Sequence, residues 1–300
     1  MNFGSVEAGG TKFVCAVGNE QNQVLDSVHF ATTKPDETLS NVISYFRMHP
    51  VGAIGLASFG PLELNPARAH FGYITDTPKS GWRQTAIAPI IHQALHVPVF
   101  ITTDVNGSAF GEYKVRHLDK SVASLVYYTV GTGVGAGIVQ NGKFIGRLGH
   151  PEMGHVFVKR HPADLNFKGI CPFHGDCLEG LISGPSIQAR KGVPGQKLQL
   201  EDPVWEVIGY YLSQALLQVT LTIRPDSIVI GGGVASPQLI AKTRDSFAKL
   251  LNGYVQVPPL EQYISLPEVA HNGSATRGDF SLAKIALCSG QPIIASSEVV

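Results

Sequence analysis

Gly131-Thr132-Gly133-Val134-Gly135-Ala136-Gly137-Ile138-Val139-Gln140-Asn141-Gly142 decides how this chain folds. From Gly131 to Ala136 it formally satisfies the dinucleotide pattern G-x-G-x-x-G/A, and Glu152 follows at about the spacing of the usual acidic partner. A dinucleotide fingerprint must open a helix, whereas here apolar residues run on to Asn141-Gly142, a hairpin turn signal. The segment therefore reads as strand, glycine turn, strand, with Ser124 to Val130 as the entering strand.

Val6 to Val17 has the same plan: an apolar run, a glycine pair and a β-branched stretch. Gly9, Gly10, Thr11 and Lys12 sit at its tip, where close-approaching N–H groups, a hydroxyl and an ammonium can cradle a phosphate. Gly-Gly hairpins alone mostly bind nothing, so the repetition carries the weight. Two such units, each opening one half of the chain, imply two similar domains facing across a cleft, each offering a phosphate loop. The domains are taken as 1–118 and 119–300, the second carrying Gly131, Thr132 and Gly133 at its turn, with the last helix able to pack back on the first domain.

Composition narrows the class. The 300 residues are 44 % hydrophobic and 15 % charged, enough for a sizeable core. Lysine plus arginine equals aspartate plus glutamate at 23 each, so no long-range field draws the chain to nucleic acid or an anionic membrane. No signal-peptide pattern or spanning apolar run is found, and a cytoplasmic location is expected. Cys15 and Cys288 lie in apolar stretches and read as inert core thiols.

Further elements follow in order. Val51 to Ser58 reads as a buried strand ending at Gly60-Pro61, and Gly72 to Trp82 as a surface excursion. His96 to Thr103 is a second strand, followed at once by Asp104 and a helical pattern. A carboxylate at a strand's carboxyl end is well placed as a base, and equally well as an N-cap; the sequence leaves both open. Asn106 could hold that carboxylate or a ligand hydroxyl. Asp202 to Val219 reads as a long core helix with an N-cap and an early proline. It leads to a strand ending in Gly231, Gly232 and Gly233 before a helix near Pro237, a seat for a nucleotide's ribose, base or α-phosphate. Asp279 to Cys288 reads as a short helix, and the tail from Gln291 as loosely held.

The richest chemistry lies between Glu152 and Glu179. Cys171, His174 and Cys177, in the pattern Cys-x-x-His-x-x-Cys, offer three ligands of the kind a tetrahedral zinc prefers. His155 is taken as the fourth, with His150 and His161 as alternatives. Four protein ligands leave no open position, so the metal reads as structural. The paired carboxylates Glu152 and Glu179 suit a polyol, since each can accept hydrogen bonds from adjacent hydroxyls.

Taken together, Glu7-Ala8-Gly9-Gly10-Thr11-Lys12, Thr103-Asp104-Val105-Asn106, Gly131 to Gly135, Glu152-Met153-Gly154-His155, the knuckle with Glu179, and Ile230 to Val234 occur in the order seen in ROK-family sugar kinases. The chain resembles that family over nearly its whole length, most closely the bacterial fructokinase branch. The resemblance implies an α/β, two-domain actin-like or hexokinase-like ATPase fold (ribonuclease H-like) with the active-site cleft between domains. It implies ATP and magnesium (Mg2+), a hexose acceptor, structural zinc (Zn2+) and a homodimer, with fructose converted to fructose 6-phosphate. Asp104 matches the general base. Gly60, Pro61, Thr103, Asn106, Glu152, His155 and Glu179 fall at sugar-contacting positions, and Glu7 would face magnesium through water. Three departures are visible: Glu7 replaces the aspartate common at the start of the first phosphate loop, Thr103 stands where the family usually writes asparagine, and His174 where many relatives carry a third knuckle cysteine. Glucose, mannose and N-acetylmannosamine remain alternative acceptors, and a non-catalytic sugar sensor is the alternative class.

Overall fold

A computed structural model describes residues 1–120, 123–146, 148–269 and 273–298. The backbone divides into two compact units, one of Met1–Val122, Ile138–His150 and Glu268–Val300, the other of Ala123–Gly137 and Pro151–Pro267. A single cut after residue 118 does not describe this division, because the chain returns to the first unit twice.

The first sheet begins with an antiparallel meander, β1 (Phe3–Ala8), β2 (Lys12–Gly18) and β3 (Val24–Ala31). After α1 (Pro35–Met48), strand β4 (Ile54–Ser58) pairs parallel with β1. After α2 (Ile87–Leu95), strand β5 (Val99–Thr103) pairs parallel with β4. Every residue of β4 and β5 is buried, as expected of parallel strands covered on both faces. Alternation in β1 separates those faces. Val6 and Ala8 join the apolar cluster that includes Leu39 and Val42 of α1 and Ile91 of α2, while Ser5 and Glu7 point the other way.

Helix α3 (Asp104–Val115) leaves the end of β5. The second sheet holds β6 (Ser124–Val130), β7 (Val134–Gln140), β8 (Lys143–Phe144), β9 (Ser227–Gly231) and β10 (Ile264–Ser265), in the order β10-β9-β6-β7-β8. Its helices are α4 (Leu178–Ile182), α5 (Gly184–Lys191), α6 (Val204–Thr222), α7 (Pro237–Leu251) and α8 (Leu260–Tyr263). No helix among the described residues is long and apolar enough to cross a membrane.

Four readings of the sequence change. The last helix, α9 (Gly273–Ser289), is not short: it is 17 residues long and packs on β1, β4 and α3. It crosses α3 closely because Gly111 and Gly278 meet without side chains; a Cβ on Gly278 would sit 2.6 Å from the Gly111 Cα. The tail is not loose as far as residue 298. Strand β11 (Ile293–Ala295) pairs parallel with β5, and Ser297 Oγ donates to the Leu64 carbonyl at 2.6 Å. The 72–82 excursion is anchored rather than superficial, since Trp82 is fully buried against Phe13 and Phe59 and its Nε1 donates to the Thr33 carbonyl at 2.8 Å. Cys288 is exposed, whereas Cys15 is a buried core thiol as expected.

Among the described residues, the stretch between β8 and α4 has no long element and is held by polar contacts. Arg190 grips Asp164 through Nε at 3.0 Å and Nη2 at 2.8 Å, and the Tyr211 hydroxyl donates to Asp164 Oδ2 at 2.9 Å. Arg160 adds an ion pair to Asp176 at 2.9 Å. Burial opposes ionisation of Asp164, but Arg190 and Tyr211 outweigh it and hold the carboxyl below the usual aspartate range.

Candidate active site

The first glycine turn joins β1 to β2. Gly9 N–H donates to the Lys12 carbonyl at 3.0 Å, the Gly9 carbonyl accepts from Thr32 Oγ1 at 2.7 Å, and Gly10, Thr11 and Lys12 are exposed. Glu7, just before the turn, accepts from Thr276 Oγ1 of α9. One helical turn on, Asp279 is fully buried; its Oδ2 accepts from Ser5 Oγ at 2.8 Å and its Oδ1 has no hydrogen-bond partner. Burial, with Glu7 adding repulsion, raises the Asp279 carboxyl well above the ordinary aspartate value. Neither Thr276 nor Asp279 was legible as part of this region, because nothing local in α9 announces its contact with β1.

Asp104 is the first residue of α3. The helix is capped by Thr103, whose Oγ1 accepts the Asn106 N–H at 3.4 Å, so the Asp104 carboxylate is not the cap. Asp104 Oδ1 accepts the neighbouring Val105 N–H at 2.9 Å. The residue is open to solvent, yet the protein around it raises its carboxyl above the ordinary 3.8; desolvation is the larger cause, opposed by His150 and the Val105 N–H. Thr103 Oγ1 also meets His150 Nδ1 at 3.0 Å, and Asn106 Nδ2 donates to the Gly149 carbonyl at 2.8 Å. These contacts tie the 149–150 segment to the start of α3. His150 thus stands beside Thr103 rather than among the cysteines, and Asn106 Oδ1 is left as a buried acceptor with no partner. Gly60 and Pro61 follow β4, joined by a cis peptide, and Pro61 supplies a carbonyl to Thr75 N–H at 2.8 Å.

In the second unit, Gly131, Thr132 and Gly133 form a turn between β6 and β7, not the start of a helix. Gly131 O accepts from Gly184 N–H at 2.7 Å, and Val134 N–H donates to Glu179 Oε2 at 3.0 Å. Gly231, Gly232 and Gly233 lie alongside: Val234 N–H donates to the Val130 carbonyl at 2.9 Å, and Gly232 has φ 90°. The two turns open on a cavity of about 570 Å³ whose lining includes Thr132, Gly184, Gln188, Gln196, Trp205 and Ser236. All of its lining side chains are neutral, which suits a nucleoside, with anion-binding N–H groups at the glycine turns.

His155, Cys171, His174 and Cys177 come together, with all four ligand atoms within 4.8 Å of one another. Cys171 Sγ lies 3.7 Å from His155 Nδ1 and 3.8 Å from His174 Nδ1, and Cys177 Sγ lies 3.5 Å from His155 Nδ1. A zinc tetrahedron with ordinary bond lengths has a sulfur-to-nitrogen edge of about 3.6 Å, so these residues fit that metal without rearrangement. The knuckle closes through Cys171 N–H to Gly175 O at 3.0 Å and the reciprocal bond at 2.9 Å. Burial chiefly pushes the Cys177 thiol up to about 11, a cost that a bound cation removes by favouring thiolate. Glu152 and Glu179 flank this cluster in the chain, Glu152 exposed and Glu179 half-buried.

The family model described as "ROK family" matches residues 3–286. A fructokinase of Lactococcus lactis subsp. cremoris is 49 % identical, over 94 % of this chain and 96 % of its own length. A fructokinase of Streptococcus mutans is 47 % identical over 94 % and 97 %. Among solved structures, the ROK hexokinase of Thermus thermophilus superposes with a TM-score of 0.77 at 24 % identity, covering 97 % of this chain and all of that one. The α/β fold is accordingly the actin-like ATPase fold of those sugar kinases. The chain belongs to the ROK family.

Proposed function

We propose that this chain is an ATP-dependent kinase that phosphorylates D-fructose to fructose 6-phosphate. The observation that carries this is the 49 % identity to a fructokinase along nearly the full length of both chains, with a carboxylate free of capping duty at the start of α3. In this reading Asp104 accepts the proton of the attacking sugar hydroxyl, and its raised carboxyl brings it nearer the pH at which it works. Phosphoryl transfer asks the protein mainly to position the nucleophile and stabilise charge. Gly9, Gly10, Thr11 and Lys12 on one turn, and Gly131, Thr132 and Gly133 on the other, supply N–H groups, a hydroxyl and an ammonium to the phosphates. Gly233 lines the nucleoside cavity at the end of the Gly231, Gly232 and Gly233 turn. Magnesium brought with ATP would neutralise phosphate charge, and Glu7 would be the residue to face it.

Glu152, His155 and Glu179 read the sugar hydroxyls, aided by Asn106 Oδ1, Thr103 and the Gly60-Pro61 turn. His155, Cys171, His174 and Cys177 would hold zinc, which would act as a rigid structural staple for the knuckle. In function, residues 1–118 carry Asp104 and the first turn and 119–300 carry the nucleotide cavity, although segments of the latter return to the first unit. We further place the enzyme in the cytoplasm as a homodimer; its free cysteines, two of them in the knuckle, suit a reducing compartment.

The product tests the assignment. Phosphorus and carbon NMR after incubation with fructose and magnesium-ATP should find phosphate on the sugar's C6 oxygen. Phosphate at C1, or unmodified fructose, contradicts it.

A further inference from the structure

Val134, the residue that follows the second glycine turn, is held on both sides of its peptide by the metal knuckle. Its N–H donates to Glu179 Oε2 at 3.0 Å, two residues beyond Cys177. Its carbonyl packs on Gly154, the residue before His155, so tightly that any Cβ there would overlap it; the Cβ would also stand 3.3 Å from the Val134 Cβ. The two flanking segments are joined to each other by Leu178 N–H donating to Val156 O at 2.9 Å and by the approach of Cys177 Sγ to His155 Nδ1 at 3.5 Å. Glu179 also abuts the turn itself, since a Cβ on Gly133 would lie 2.7 Å from Oε2. The same helix junction grips the other end of the turn, where Gly184 N–H meets Gly131 O.

We infer that Glu179 is a positioning residue for the Gly131–Gly133 turn, and that the metal-held knuckle sets nucleotide affinity through it. The inference rests on the reading of that turn as a phosphate loop, and gives Glu179 a duty beyond sugar contact. One carboxylate oxygen orients the loop; the other is left for a sugar hydroxyl. A backbone N–H pinned to a carboxylate cannot swing toward solvent, so the turn is ordered before nucleotide arrives, and its ordering cost is removed from binding. The charge of Glu179 is needed by the sugar, but the loop needs only an acceptor. Glutamine keeps that acceptor and alanine does not.

Those two duties separate in binding measurements made without sugar. AMPPNP with magnesium is titrated calorimetrically into the zinc-loaded protein, its Glu179→Gln and Glu179→Ala variants, and the parent after chelation and after zinc is restored. Loss of a hydrogen bond to a charged group predicts weaker AMPPNP binding by about tenfold or more in Glu179→Ala and in the chelated parent, recovered on adding zinc. Glu179→Gln should hold its AMPPNP affinity within about twofold while its KM for fructose rises about tenfold or more. A merely structural role would move both substrates together in all variants. AMPPNP binding unchanged in Glu179→Ala, or by chelation, overturns the inference. If Glu179→Ala does not fold, the glutamine variant and the chelation arm decide: an AMPPNP affinity lost in Glu179→Gln, or kept without metal, overturns it equally. No AMPPNP binding by the zinc-loaded parent instead removes the underlying reading of the turn.

Discussion

Thr103 Oγ1 accepts the backbone N–H of Asn106 at 3.4 Å, and this cap leaves the carboxylate between them, Asp104, available for chemistry. Replacing Asp104 by asparagine keeps the size and the Val105 contact but removes the base. We expect kcat to fall about 10²- to 10⁴-fold with fructose binding retained. A variant with parental kcat would show that the proton leaves by another route.

The same residue sets an acid limb. A base must be ionised, and desolvation by the surrounding protein raises the Asp104 carboxyl, so activity should fall as pH drops through a value above the ordinary 3.8. The plot of log kcat against pH should show this limb in the parent and lose it in Asp104→Asn. A parental profile flat down to about the unperturbed aspartate value would contradict the desolvation argument.

Asp279 predicts a stability trend of the opposite kind. Its folded-state carboxyl is raised, so above 3.8 the unfolded chain releases a proton that the folded chain keeps. Stability contributed by the neutral acid is therefore lost as pH rises from 3.8 toward the raised value. Asp279→Asn is neutral throughout, and its Tm relative to the parent should climb steadily over that interval. A gap independent of pH would mean that Asp279 is ionised in the fold.

Arg190 and Asp164 are each less than a tenth exposed and are bound to each other at 2.8 Å. Arg190→Met removes the nearest cation from Asp164, leaving it only the Tyr211 hydroxyl and Arg160 at 3.9 Å, and should cost about 3–5 kcal/mol in urea unfolding. Adding Asp164→Leu should recover part of that loss, because no buried charge then remains unpaired. A loss below about 1 kcal/mol in the single variant would place the pair among ordinary surface bridges.

Metal analysis should find one zinc per chain, and Cys177→Ser should lose it together with several degrees of Tm, since a closed zinc site contributes folding energy directly. A metal-free preparation with full stability and activity would refute the staple.

The parts of the site legible in sequence are those whose chemistry is local. Cys171, His174 and Cys177 announce a ligand set by spacing alone, and the Asn141-Gly142 turn rules out a dinucleotide fold before any coordinates. Asp104 was ambiguous because strand-end carboxylates also cap helices; only the geometry of Thr103 separates the two. What stayed hidden depends on chain returning from far away. Ser5 and Asp279 are 274 residues apart, and the Glu179 contact to Val134 spans 45. Strand β11 escaped notice because three residues, Ile293 to Ala295, are too few to show a period, and their burial comes from β5.

The most direct test of the account is ADP release from magnesium-ATP with fructose, glucose, mannose and N-acetylmannosamine supplied separately under identical conditions. The account predicts the highest kcat/KM with fructose. Turnover favouring another of the four, or none with any, would contradict it.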